Sequence, residues 1–354
     1  MRIRKRTILR TLIDVINPYA WVMAVRNLAF DTGMLKSHSF DLPVICVGNI
    51  SVGGTGKTPH TEYIIRLLKQ RCSTALLSRG YGRKSKGYIK ADANTPMQLI
   101  GDEPFQIKNK FPNITVAVCE ERVTGIKRLL AEEKGVQAIV LDDAYQHRYV
   151  KAGLNILLID SNRPVWNDNV LPFGRLRESL CSILRADIII VTKCEELTPQ
   201  QTDWCRRYIR KYSKAPLYFS SVRYGEPYKV FGGDNASITP NSNVLLVTGI
   251  ATPRPLKAEL ERRGATVTLM QYPDHHNFST AELDEIATHY KKQGYKMLLT
   301  TEKDATRLLG RNDIPQPIMQ NICALPIEVE ILNGEKELFN QKIYDYVAEN
   351  SRNS

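Results

Sequence analysis

Residues 44–59 read Val-Ile-Cys-Val-Gly-Asn-Ile-Ser-Val-Gly-Gly-Thr-Gly-Lys-Thr-Pro, and no other stretch restricts the fold so tightly. The apolar run at 44–47 predicts a buried strand, the glycines a tight loop, and Lys57-Thr58 the opening of a helix. Glycines let successive backbone N–H groups turn toward one anion, and a helix N-terminus adds a favourable dipole. In such a loop Lys57 reaches the β- and γ-phosphates of a nucleoside triphosphate and the Thr58 hydroxyl reaches Mg²⁺. Ser51, Val52, Gly53, Gly54, Thr55, Gly56, Lys57 and Thr58 are therefore the expected ATP phosphate cradle. Ser51 stands where the usual pattern has its first glycine, and Gly53 and Gly54 supply the freedom instead. A glycine-rich turn with no ligand is the plain alternative, but it does not require strand, loop and helix in this order.

The chain has 354 residues, more than one hydrophobic core usually organises, so two domains are expected. Apolar runs at 44–47, 74–77, 138–141, 156–159 and 188–191 suit strands covered on both faces of a largely parallel sheet. The expected fold class is α/β: a P-loop NTPase core over 36–223, and a smaller C-terminal α/β domain over 243–354. Residues 224–242, richer in Gly, Pro, Asn and Asp, read as the linker. In the second unit, strands are expected near 244–247, 266–269 and 297–299, with helices over 281–292 and 338–349.

Residues 1–35 are expected to form amphipathic, membrane-associated helices. Leu9, Leu12, Ile13 and Ile16 fall at helical spacing, and Trp21, Val22, Val25 and Leu28 repeat it after Pro18, which suits a first helical turn. The cations Arg2, Arg4, Lys5, Arg6 and Arg10 beside this stripe are what an interfacial helix carries; packing on the protein's own core is the alternative. No run reaches the roughly 20 apolar residues of a spanning helix, and Arg10 and Asp14 interrupt any signal-peptide reading. The net charge of +12 favours an anionic partner without choosing among nucleic acid, lipid and phosphorylated small molecules. Seven scattered cysteines, none in a Cys-x-x-Cys pair, argue against a disulfide framework or zinc ribbon.

Asp142 and Asp143 close the apolar run at 138–141, where P-loop enzymes hold magnesium; an ordinary capping Asp is the alternative. Asp102, in Gly101-Asp102-Glu103-Pro104, follows a loop dense in cations, including Arg79 and Arg83. A carboxylate there suits a general base for a hydroxyl nucleophile, with arginines on phosphoryl oxygens, although a turn residue reads equally well. In Asp274-His275-His276, adjacent histidines cannot face one way on a regular element, so a hydrogen-bonded Asp/His cluster is expected rather than a metal site.

Taken in order, Gly48-Asn49, Gly53 to Pro59, Leu77-Ser-Arg-Gly-Tyr-Gly-Arg83, Gly101-Asp-Glu-Pro104, Leu141-Asp-Asp-Ala-Tyr-Gln-His147, Gly174-Arg-Leu-Arg-Glu178, Asp274-His-His-Asn-Phe278 and Thr301-Glu-Lys-Asp-Ala305 closely resemble the tetraacyldisaccharide 4'-kinase family of lipid A biosynthesis. The resemblance runs from Arg26-Asn-Leu28 to about residue 310. It implies ATP- and Mg²⁺-dependent phosphorylation of the 4'-hydroxyl of an acylated glucosamine disaccharide 1-phosphate, at the cytoplasmic face of the bacterial inner membrane. Carried over by motif, Asp102 is the base and His275 its partner, with His276 the second choice. Lys57 and Thr58 take the P-loop roles, Asp142 or Asp143 the metal role, and Arg79, Arg177 and Glu178 shape the site. Ala144 and Tyr145 depart from the family's more frequent Gly and Phe without removing either carboxylate.

The competing class is a P-loop switch GTPase or metallochaperone ATPase. Thr192-Lys193-Cys-Glu195 echoes the Asn-Lys-x-Asp guanine signature with both ends replaced. No nucleic-acid partner is expected, since charge is the sole argument for one.

Overall fold

The computed structural model describes residues 13, 15–195, 197–274 and 276–351. Its first half runs α1 (Pro18–Asp31), β1 (Val44–Asn49), α2 (Lys57–Leu68), β2 (Thr74–Ser78), β3 (Ile89–Ala91), α3 (Met97–Ile100), α4 (Asp102–Lys110), β4 (Thr115–Val118), α5 (Arg122–Glu132), β5 (Ala138–Asp142) and β6 (Leu154–Asp160). There follow β7 (Ile188–Thr192), α6 (Pro199–Ile209), β8 (Leu217–Tyr224), β9 (Tyr228–Lys229), β10 (Asn243–Thr248), α7 (Arg254–Arg262), β11 (Thr266–Gln271), α8 (Thr280–Gln293), β12 (Met297–Thr301), α9 (Glu302–Leu308), α10 (Gln316–Asn321), β13 (Ile322–Leu325), β14 (Ile327–Ile331) and α11 (Lys336–Asn350).

Two sheets organise the chain. The larger has the order β14-β8-β7-β6-β1-β5-β2-β4-β3, and all its neighbours are parallel except the edge strands β14 and β3. β1 lies in the middle with every residue buried. Val44 and Cys46 face one core cluster while Ile45 and Val47 face the other, as the period of two demands of a strand covered on both sides. The smaller sheet, β11-β10-β12-β13-β9, is parallel apart from the short β9.

The last two elements depart from the sequence reading. β14 pairs antiparallel with β8, and α11 sets Phe339, Ile343 and Val347 into a core cluster of the large sheet. The Tyr346 hydroxyl bonds both backbone groups of Val44, at the root of β1. Residues 327–350 therefore join the first sheet rather than the second, and β9, inside the stretch read as linker, pairs with β13. β14, Ile-Glu-Val-Glu-Ile, alternates apolar and charged residues as a half-covered edge strand does. A search for unbroken apolar runs passes over it.

At the junction, Lys110 of α4 lies 2.8 Å from Glu62 of α2 and 2.7 Å from Glu302 of α9. Both carboxylates are buried. Burial pushes the Glu62 carboxyl up, and the Lys110 charge opposes that. One cation thus ties the P-loop helix to the second sheet's lobe, and removing one member of such a group leaves an uncompensated buried charge.

α1 is inverted relative to an ordinary surface helix. Asn17 caps it and donates to the carbonyls of Val170 and Leu171; Tyr19 donates to the Arg177 carbonyl and Arg26 to the Gln146 carbonyl. Its polar side is thereby fastened to the body, while Trp21, Val22, Val25 and Leu28 are 57–67% exposed. The expected stripe faces outward in this helix. Leu9, Leu12 and the five N-terminal cations lie outside the described residues.

Candidate active site

β1 delivers the chain into the loop, and the loop into α2. Gly48 has a packing reason: a Cβ there would stand 2.7 Å from that of Tyr145. Gly53 and Gly56 take φ of +106° and +85°, values that L side chains avoid. Gly56 caps α2 with no side-chain partner for the first N–H groups, which leaves them for an anion. Neighbours brace the loop from outside. Val52 N donates to the Arg175 carbonyl at 2.8 Å and Arg177 N to the Ile50 carbonyl at 2.7 Å, with Ser51 bridged to Leu176. Thr192 donates to the Thr55 carbonyl, and Lys193 reaches the Gly54 carbonyl and Asp160. The segment that echoes a guanine signature here props up the phosphate loop.

The carboxylates stand where parallel pairing puts them. Val47 is in register with Asp142, so the end of β5 meets the start of the loop. Asp143 follows with φ of +46°, its carboxylate 3.0 Å from Arg177 and 3.7 Å from the Lys57 Nζ. Asp142 accepts from the Thr61 hydroxyl at 3.0 Å. Burial first, then the charges of Glu103 and Asp143, push the Asp142 carboxyl well above the usual carboxylate range, against the pull of Lys57. A buried carboxylate held so is suited to a cation. The Asn49 Oδ1, also buried beside the loop, has no hydrogen-bond partner, while its Nδ2 donates to Thr55. No group of three or more His, Cys, Asp and Glu side chains disposed to hold a metal occurs among the described residues. That is compatible with an ion that takes the rest of its oxygens from a phosphate, a hydroxyl and water.

A second wall starts at Asp102, the first residue of α4. One oxygen accepts from the Glu103 N–H and the other from Arg307 of α9 at 2.8 Å. Both residues face an open cleft of about 860 Å³ together with Tyr81, Lys84, Asn277 and Arg311. The Glu103 charge that acts on Asp142 ties this wall to the P-loop wall.

Of the expected site residues, Lys57, Asp142, Asp143 and Arg177 are brought together with the loop, and Asp102 opens α4 beside Glu103, whose charge acts on Asp142. Arg79 is exposed at the end of β2, near enough for its charge to act on Arg122 and His147. Glu178 is fully buried and ion-paired with Arg185, which also sits over the Tyr145 ring. Its place is behind the site, bracing the Arg177 segment, rather than on the open face. His275 lies outside the described residues. His276 stacks on Tyr272 with its Nε2 3.0 Å from Glu282. Sequence reading passed over Asn49, Glu103, Lys193 as a brace, and Arg307. The last stands just beyond the Thr301 to Ala305 motif and is recognised from its contact with Asp102 alone.

A central parallel strand feeding a braced phosphate loop, with Lys57 at its end and paired carboxylates at the end of the neighbouring strand, defines a P-loop enzyme of the phosphotransferase kind. Three comparisons narrow the class. Residues 9–348 match the family described as tetraacyldisaccharide-1-P 4'-kinase. The tetraacyldisaccharide 4'-kinase of Bacteroides thetaiotaomicron is 46% identical over 351 residues, 95% of this chain and 92% of that protein. That of Flavobacterium psychrophilum is 41% identical over 350 residues, 97% and 98% of the two chains. The crystal structure of LpxK from Aquifex aeolicus in complex with ATP superposes with a TM-score of 0.74 at 28% identity, over 96% of this chain and 100% of that one. The chain belongs to the tetraacyldisaccharide 4'-kinase family and is a kinase. The switch-GTPase alternative falls with that assignment.

Proposed function

We propose that the protein transfers the γ-phosphate of ATP to the 4'-hydroxyl of a tetraacylated glucosamine disaccharide 1-phosphate, giving lipid IVA and ADP. The observation that carries the reading is the pairing of a braced phosphate loop with a carboxylate, Asp102, whose helix neighbour Glu103 stands close enough for its charge to act on Asp142 beside that loop. Residues 51–58 hold the triphosphate, with Lys57 on the β- and γ-phosphates. Thr58, Asp142 and Asp143 would hold Mg²⁺, which would neutralise phosphate charge when bound. Arg177 and Arg79 face the phosphoryl oxygens. Asp102 accepts the proton of the attacking hydroxyl while that oxygen bonds to phosphorus and the ADP oxygen leaves. His275 is its partner, because His276 is engaged by Glu282.

The outward apolar face of α1 supports peripheral attachment to the cytoplasmic face of the inner membrane. No helix among the described residues is long and apolar enough to span a bilayer. An acceptor with four acyl chains leaves a bilayer reluctantly, since each buried CH₂ is worth about 0.8 kcal/mol. An enzyme whose apolar helix is fastened by Tyr19 and Arg26 to the Arg177 and Gln146 backbone works where that acceptor resides. The partners are thus the lipid acceptor and the membrane surface, not nucleic acid. The test is incubation with ATP, Mg²⁺ and the purified disaccharide 1-phosphate in mixed micelles, followed by mass analysis. One added phosphate on the disaccharide supports the reading; ATP consumed with the disaccharide unchanged refutes it.

A further inference from the structure

We propose that Arg307, contributed by the second sheet's lobe, is the positioning residue for Asp102, so that the base is complete only when the two lobes are engaged. This rests on Asp102 being the base for the acceptor hydroxyl.

The backbone alone does not aim Asp102. Gly101, at φ +90°, fixes where α4 begins, and a Cβ there would stand 2.8 Å from the Tyr81 carbonyl. The side chain still turns about its own bonds. One of its oxygens is spent on the start of α4, on the Glu103 N–H at 3.1 Å. The other meets Arg307 Nη2 at 2.8 Å, across 205 positions of sequence.

Arg307 is itself held from behind. Its Nη1 donates to Asp304 Oδ1 at 2.8 Å. Asp304 is fully buried, and its Oδ2 accepts from Thr301 at 2.7 Å, Thr248 at 2.8 Å and Gly249 N at 3.1 Å. Those donors sit at the ends of β12 and β10, so the anchor belongs to the second sheet's frame. A planar guanidinium with two fixed branches converts that anchor into a defined direction at Asp102. An ammonium supplies the charge without the fork. The Arg307 side chain is almost wholly buried while both residues border the cleft. The guanidinium therefore backs the carboxylate from the buried side.

The test uses the full-length enzyme with Arg307→Met, Arg307→Lys and Asp102→Asn, scored for kcat, both KM values, ATP binding and the pH dependence of kcat/KM. Arg307→Met is expected to bind ATP as the parent does and to lose about 10²-fold in kcat, the scale for a misplaced reacting group. Its acidic limb is expected to move up by about one pH unit or more, since the cation favouring the charged carboxylate is gone. Arg307→Lys is expected to return the limb toward the parent while kcat stays low. A folded Arg307→Met with parental kcat and parental acidic limb, beside an inactive Asp102→Asn, overturns the proposal alone. Parental turnover in Asp102→Asn overturns the underlying base assignment. Should Arg307→Met fail to fold, Arg307→Lys decides: parental kcat overturns the proposal, and a reduced kcat with unchanged ATP affinity supports it.

Discussion

The proposed nucleotide wall and the proposed acceptor wall of the site are built on opposite plans. The nucleotide wall is local: one strand, one loop and one helix over residues 44–68 supply the cradle, and the neighbouring strand β5 supplies the carboxylates in register. The acceptor wall is assembled from distance, with Asp102 in the first lobe and its partner Arg307 in the second. A wall built from consecutive residues is set by local backbone geometry and survives motion between lobes. One built from segments 205 positions apart exists only while the lobes stay docked. The first suits tight, constant grip on triphosphate, and the second a step that ought to wait for both substrates.

The largest effect separating the walls is expected from Lys57→Ala. On the proposed reading Lys57 meets the β- and γ-phosphates, so transfer is expected to fall by at least about 10²–10³-fold, the cost of one preorganised donor to developing charge. Melting should change little, because its neighbour Asp143 keeps Arg177. Near-parental turnover in a normally folded variant removes the phosphate loop from the mechanism.

A smaller effect, confined to the acceptor side, is expected from Trp21→Glu combined with Val25→Glu. Both side chains point away from the body, so the fold tolerates the change, whereas two carboxylates repel an anionic surface. Liposome binding and turnover on bilayer-embedded acceptor should drop several-fold, with ATP affinity unchanged and less loss in mixed micelles. Unaltered liposome binding places the attachment elsewhere.

The smallest effect belongs to the nucleotide wall and concerns pH. His60, under the loop, bonds the Gly56 carbonyl at 2.7 Å and Ser220 at 2.9 Å, and burial pulls it down to about 4. His147 is likewise pulled down to about 4 by burial, aided by the charges of Arg122, Arg26 and Arg79. Between pH 6.5 and 4 the unfolded chain therefore binds protons that the folded chain refuses. Stability is fully present above pH 6.5 and is lost as pH falls toward 4, by up to about 3 kcal/mol for His60. Denaturant midpoints measured across that window should show a shallower slope in His60→Gln than in the parent. Equal slopes leave His60 without a part in the acid sensitivity.

Legibility in the sequence followed the same division. β1, β2, β5, β6 and β7 were readable because strands covered on both faces are unbroken apolar runs, and the loop because only glycine tolerates its φ values. Pro18 marked the first turn of α1 correctly. The sequence reading passes over β14 and places α11 in the C-terminal unit, because nothing local in Ile-Glu-Val-Glu-Ile says which partner strand awaits it. Glu178 carried a motif signal yet turned out to be a buried ion-pair partner, since a motif marks a position without saying which way its side chain points. Arg307 gave no signal, for its meaning lies in a contact with a residue in the other lobe.

The division between the walls is tested most directly by measuring ATP affinity and phosphoryl transfer side by side in Asp102→Asn, which preserves the shape of the side chain and removes its charge. If the walls act separately, ATP binds as in the parent while transfer to the lipid disaccharide falls about 10²–10⁴-fold, the usual contribution of a general base. ATP affinity that falls in step with transfer, or transfer that does not fall, contradicts it.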